Sequence, residues 1–268
     1  MKLRKVVLTA SAAALAAGIA AAGSLAYLQK ESSAVTNTFV ASGGGEIVNP
    51  DPEEFTEDDE KTKLHNFDLK EHLMVMGADG RYAKAESGEY IPGGMTGTGD
   101  DGNAYKVTPG VDLPKDPFIH ITKGQKTEVP AYLYVEIVDG LTSNNSKGLS
   151  YEVADGWIEV PGLTGKNDGK IYVYGSGETA TIVDEQTTAA TALDVPILKD
   201  NVIRVADNNA EGEGLVITDG DESTAGDAID LKFYGYIAQA SAVGAGENAP
   251  AAGTVNAAKA VYQNCFGE

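Results

Sequence analysis

The stretch Ala131-Tyr-Leu-Tyr-Val-Glu-Ile-Val138 constrains the fold more than any other. It is eight residues of β-branched, aromatic and aliphatic character with no glycine or proline, so an extended strand is its natural state. Side chains alternate across a strand. Leu133, Val135 and Ile137 therefore share one face, read here as the core side, and Tyr132, Tyr134, Glu136 and Val138 share the other. Shorter runs of the same kind fall at 103–108, 118–122, 151–153, 157–160, 170–174, 179–183, 194–198, 202–206 and 215–218. A long last run at 229–239 puts Ile229, Leu231, Phe233 and Gly235 on one face. Turn signals separate them, among them Pro109-Gly110 and Asn167-Asp168-Gly169. About ten strands without alternating helices predict an all-β chain, an antiparallel jelly-roll-like β-sandwich. The loops are long, the stretch 77–104 is rich in glycine, and 254–264 suits a short C-terminal helix. Residues 64–76 fit either a helix face or a buried strand.

The N-terminal region carries an address. Lys2, Arg4 and Lys5 precede an apolar run from Val6 to Ala22, and Ser24-Leu25-Ala26 supplies small residues at the −3 and −1 positions. This is the pattern of a secretory signal peptide, with cleavage expected between Ala26 and Tyr27. The alternative is an uncleaved anchor, since the apolar run extends to Leu28. No later segment is apolar enough to span a bilayer, so no membrane association is expected after cleavage. The new N-terminus opens on an extended segment, 27–48. Within it Val35, Asn37 and Phe39 lie on one side, and Gly43-Gly44-Gly45 reads as a hinge. An acidic run with two prolines at 49–62 reads as a linker. The sandwich is assigned to 63–240, and an Ala/Gly-rich segment to 241–268.

Residues 1–26 carry three basic and no acidic side chains, so a whole-chain charge of −20 becomes −23 over the remaining 242 residues. Nucleic acid and anionic membranes carry the same sign and are disfavoured as partners. The one cysteine, Cys265, rules out an internal disulfide framework and reads as an unpaired thiol on a loose tail, with an intermolecular disulfide as the alternative.

The catalytic constellations are missing. His65 and His72, with Glu71 beside the latter, match neither H-E-x-x-H nor its inverse, and no serine sits in G-x-S-x-G. The glycine-rich pieces lack the Lys-Ser/Thr of a phosphate loop. Asp219 and Asp221 lie in an oxygen-rich turn that fails the calcium-loop pattern, which leaves them as weak candidate calcium ligands. No enzyme activity and no cofactor beyond calcium are expected.

Several segments, taken in order, resemble the TasA/camelysin group of exported proteins of Gram-positive bacteria, which a SipW-type signal peptidase processes. They are Gly23-Ser-Leu-Ala-Tyr27, Val35-Thr-Asn-Thr-Phe39, Phe67-Asp-Leu-Lys-Glu-His72, and Tyr105-Lys-Val-Thr-Pro-Gly-Val-Asp-Leu-Pro-Lys-Asp-Pro117. Gly156-Trp157, Val173-Tyr174 and Tyr236-Ile-Ala-Gln239 follow. The Ala/Gly-rich tail and the glycines near 93–99 depart from that pattern. The resemblance implies a jelly-roll body, secretion, and a structural role in biofilm-matrix fibres. There, subunits of a homopolymer join by donor-strand exchange, alone or with other matrix proteins. Its camelysin branch is classed as metalloproteases, an activity this sequence gives no motif to carry. A monomeric surface adhesin or binding module, with its ligand in the loop-rich 77–104 region, is the competing expectation.

Overall fold

The computed structural model describes residues 30–31, 35–41, 67–88, 90–91, 103–121, 130–141, 146–183, 193–207, 216–217, 229–240 and 249–267. Within them, ten strands have four residues or more. They are β1 (Val35–Ala41), β2 (Phe67–His72), β3 (Ala104–Val107), β4 (Phe118–Ile121), β5 (Ala131–Asp139), β6 (Trp157–Thr164), β7 (Lys170–Ser176), β8 (Leu193–Pro196), β9 (Val202–Val205) and β10 (Ile229–Gln239). One helix, α1 (Val255–Phe266), closes the chain. The chain is mostly β, as the alternation of its strands leads one to expect; among the described residues the sheets are antiparallel except where β1 lies parallel to β3, and α1 is the one α-helix.

The main sheet runs β6-β7-β5-β10-β1-β3. Its centre is the ladder of β5 on β10, in register from Ala131 opposite Gln239 to Asp139 opposite Leu231. A second sheet runs β8-β4-β2 and ends on Tyr90–Ile91. A third places β9 between Leu149–Ser150 and Leu113–Pro114. Leu133, Val135 and Ile137 of β5, with Leu231 and Phe233 of β10, pack in one core with Leu69 of β2, Ile119 and Ile121 of β4, and Ile203 of β9. That shared core makes the arrangement a sandwich, and Leu133, Val135 and Ile137 do form its core face.

The opposite face of β5 is not the wet side that alternation implied. Tyr132, Tyr134 and Glu136 are fully buried. The two tyrosines share a second core with Tyr236 of β10 and with Ala257, Ala258, Val261 and Tyr262 of α1. Thr254 caps α1, its hydroxyl accepting from the Ala257 N–H at 3.2 Å. Tyr134 donates to the Ala258 carbonyl at 2.8 Å, and Tyr132 accepts from the Gly253 N–H at 2.8 Å. Burying these phenols costs little because each hydroxyl finds a partner. Cys265 is likewise not on a loose tail. It is half-buried on α1 and packs against this second core.

Local chemistry explains most boundaries. Thr108-Pro109-Gly110-Val111 is a turn closed by Val111 N–H to the Thr108 carbonyl at 3.1 Å, with Gly110 at φ 71°, as a type II turn demands of its third residue. The turn at 167–169 is present as expected, with Asp168 in the left-handed region at φ 63°. It is pinned by Glu136, whose carboxylate accepts the N–H groups of Asn167 (2.8 Å) and Gly169 (2.9 Å) and the Tyr236 hydroxyl (2.5 Å). The strand expected to stop at Val160 continues to Thr164 as β6, with a register break between Glu159 and Thr164 where Pro161 falls. An edge position lets the strand keep a residue that cannot donate to a ladder. Residues 151–153 are not a strand. Pairing shifts to Leu149–Ser150, and Val153 makes only an isolated bridge to Leu198. The stretch 64–76, open between helix and strand, supplies β2 and then Met74–Met76, which forms a hairpin with Tyr82–Lys84.

Burial pushes the phenols of Tyr105, Tyr134 and Tyr151 well up and that of Tyr172 up to about 12. A group whose folded pKa is raised lends stability that is complete below its unfolded value, about 10 for tyrosine, and is lost as pH rises through the folded one. Unfolding free energy should therefore fall as pH rises above about 10, with much of the tyrosinate absorbance appearing only as the chain unfolds. A complete titration near pH ~10 with tertiary circular dichroism intact would contradict this placement of the tyrosines.

Candidate assembly site

The candidate joining strand is β1, and the structure sets it inside the main sheet. It pairs antiparallel with β10, Val35 opposite Phe233, Asn37 opposite Leu231 and Phe39 opposite Ile229. On its other side it pairs parallel with β3, from Thr38 opposite Ala104 to Ala41 opposite Val107. A two-residue strand, Lys30–Glu31, continues along β10 against Ile237 and Tyr236. One edge of β10 is thus covered by β5 and the other by the first described residues of the chain. Among the described residues, β1 is the only link in the ladder between β3 and the rest of the main sheet. Two of the three positions singled out in β1, 35 and 37, stand opposite residues that are fully buried.

The rest of the expected site residues fall elsewhere. Ala26 and Tyr27, the Gly43–Gly45 hinge, His65, Asp219 and Asp221 lie outside the described residues. His72 pairs with Asp116. Its Nδ1 is 2.7 Å from Asp116 Oδ2, and its backbone N–H donates to Asp116 Oδ1 at 3.1 Å. His120 pairs with Asp194 across β4 and β8 at 2.6 Å. Among the described residues no group of three or more His, Cys, Asp or Glu is placed to hold a metal ion. No described helix is long and apolar enough to cross a membrane.

Beside β3 lies a buried polar cluster that sequence reasoning did not find. It brings together residues 67–72 and 105–117, the two central segments of the family resemblance. Glu71 and Lys115 form an ion pair with both side chains fully buried. Asn103, also buried, donates from Nδ2 to Glu71 Oε1 at 2.7 Å and to the His72 carbonyl at 3.0 Å, and its Oδ1 accepts from Met74 N–H at 2.8 Å. Lys115 Nζ lies 5.2 Å from the centroid of the Phe233 ring. Burial lowers the pKa of Lys115 against the opposing pull of the Glu71 charge. Next to the pair, Asp116 is held by His72 and by Lys84 Nζ at 2.6 Å. The signal available in the sequence was the alternation of β2, which puts Leu69 and Glu71 on one face. A charge on an apolar face needs a partner, and that partner lies 44 residues away.

Comparison of this chain with family models, with characterised proteins and with solved structures gives no match.

A proline in an interior strand removes a ladder hydrogen bond whichever neighbour it faced. Thr38 stands in both of the ladders that β1 makes. Thr38→Pro should raise amide hydrogen exchange in 229–233 and 104–107 while leaving the β5–β7 pairing protected. Unchanged protection of 229–233 in that variant would contradict the placement of β1.

Proposed function

We propose that this chain is a secreted structural subunit of an extracellular or biofilm-matrix fibre, and that it joins its neighbour by donor-strand complementation through β1. The observation that carries this reading is the place of β1. It is an N-terminal segment, yet it fills an interior slot whose two walls, β10 and β3, would otherwise present unpaired backbone. An open slot of this kind recruits a strand from another chain by main-chain hydrogen bonds. Exchanging a chain's own β1 for the β1 of a second copy would preserve every rung, so the exchange is close to neutral in contacts and is driven by what assembly adds. Signal cleavage after Ala26 by a SipW-type peptidase would leave this segment at the start of the mature chain, delaying assembly until export. The TasA/camelysin resemblance of the same residues points the same way, with self-association as the main contact and other matrix proteins as further partners.

The slot filled by its own strand also describes a closed monomer, which favours the adhesin reading as the second one. The two differ in whether β1 leaves its own body. A protein lacking residues 27–42 should stay monomeric by size exclusion, form no filaments in negative stain, and bind a synthetic peptide of residues 30–41. Normal filaments from the truncated protein would end the donor-strand reading. A truncated protein that ignores the peptide, together with an intact protein that stays monomeric, would favour the adhesin.

A further inference from the structure

We propose that Lys115 and Asn103 become joined by an isopeptide bond within the folded chain, with Glu71 carrying the protons. The geometry points to this because one buried carboxyl group touches both reactants. Glu71 Oε2 contacts the Lys115 amine and Oε1 accepts from the Asn103 amide at 2.7 Å. The amine and the amide nitrogen are therefore gathered on the two oxygens of one side chain, the kind of prior positioning that makes an otherwise very slow amide exchange feasible.

Each requirement of the chemistry has a residue. The attacking amine must be neutral, and the full burial of Lys115 disfavours a charged ammonium. Passing one proton from Lys115 to Glu71 turns a buried ion pair into a neutral amine and a carboxylic acid, which a dry site tolerates better. The amide carbonyl must be polarised. The Asn103 Oδ1 already accepts the Met74 N–H at 2.8 Å, a fixed donor aimed at the oxygen that gains negative charge when Cγ is attacked. The amide nitrogen must leave as ammonia, and the acid that can protonate it is the one it already contacts.

The step balances without any outside reagent. Lys115 Nζ forms a bond to Asn103 Cγ. The protonated Glu71 gives its proton to Nδ2, and the carboxylate then takes a proton from the attacking nitrogen. The Cγ–Nδ2 bond breaks, and the ammonia takes the remaining proton from Glu71 and departs as ammonium, which returns Glu71 to the carboxylate of the original ion pair. Asp116 is not the electrophile, since it is salt-bridged to Lys84 and paired with His72, and an ionised carboxylate is a poorer acyl electrophile than a neutral amide. The bond would tie the residue that enters β3 to the residue that follows Leu113–Pro114. It would fix the start of the strand beside which β1 lies, and it stands independently of the fibre reading.

The test is mass spectrometry on the full-length folded protein, denatured only for measurement. The expected result is an intact mass lower than the sequence mass by one ammonia. Trypsin should fail to cut after Lys115, and one branched peptide should contain both Lys115 and Asn103. Glu71→Gln keeps the size of the side chain but cannot cycle a proton, so folded Glu71→Gln protein should show the full mass and two separate peptides. Recovery of Lys115 and Asn103 in separate, unmodified peptides from folded wild-type protein after long incubation would overturn the proposal. This arm needs no variant to fold. A branched peptide from Glu71→Gln would overturn the role given to Glu71.

Discussion

The ladder between β5 and β10 is the interaction on which the remaining structure depends. It runs in unbroken register from Ala131 and Gln239 to Asp139 and Leu231, and it is buried on both faces. One face supplies Leu133, Val135, Ile137, Leu231 and Phe233 to the sandwich core, and the other supplies Tyr132, Tyr134 and Tyr236 to the layer under α1. Its two outer edges are then the only places where the main sheet can grow. β7 takes the edge of β5, and β1 takes the edge of β10. Residues paired between β5 and β10 are more than ninety positions apart in sequence, so the sheet is held by long-range contacts. That is the setting in which a terminal strand can serve as a replaceable part.

Polar groups buried in this framework are matched rather than avoided. Glu136, in the middle of β5, looks from sequence like a solvent-facing charge, yet it organises the 167–169 turn by accepting from two backbone amides and from Tyr236. Glu71 does the same work on the other sheet, holding Asn103 and Lys115 where β2, β3 and the segment after Leu113–Pro114 converge. In both cases a lone carboxylate in an apolar setting would be too costly to keep, and several aimed donors offset that cost. The second cluster differs in that its donors include a nucleophile and an amide.

Much of the fold was legible in the chain and much of the site was not. Period-two alternation found β5, β7 and β10 and assigned Leu133, Val135 and Ile137 to the core, because a strand of nine or so residues with one regular apolar face has few other states. The same rule misplaced Tyr132, Tyr134 and Glu136, since it assumes one wet face and cannot know that a helix more than a hundred residues later covers the other. The turn at Pro109-Gly110 was readable because the φ at Gly110 is a local demand. The partnership of Glu71 with Lys115 was not, because it is set by how two sheets meet. The extended character of residues 35–41 was visible, but their interior position between an antiparallel and a parallel neighbour was not. Alternation fixes neither the neighbours of a strand nor their direction.

The central claim is that β1 of one subunit can occupy the slot of another, and disulfide trapping across the β1–β10 register tests it most directly. Thr36 stands opposite Lys232, at a separation a disulfide can bridge in paired strands. One protein would carry Thr36→Cys and a second Lys232→Cys, each also with Cys265→Ser, mixed under assembly conditions and run on a non-reducing gel. The account expects a covalent dimer containing one chain of each kind. Filaments that form without that dimer, while the double variant Thr36→Cys/Lys232→Cys closes its bridge only within single chains, would contradict it.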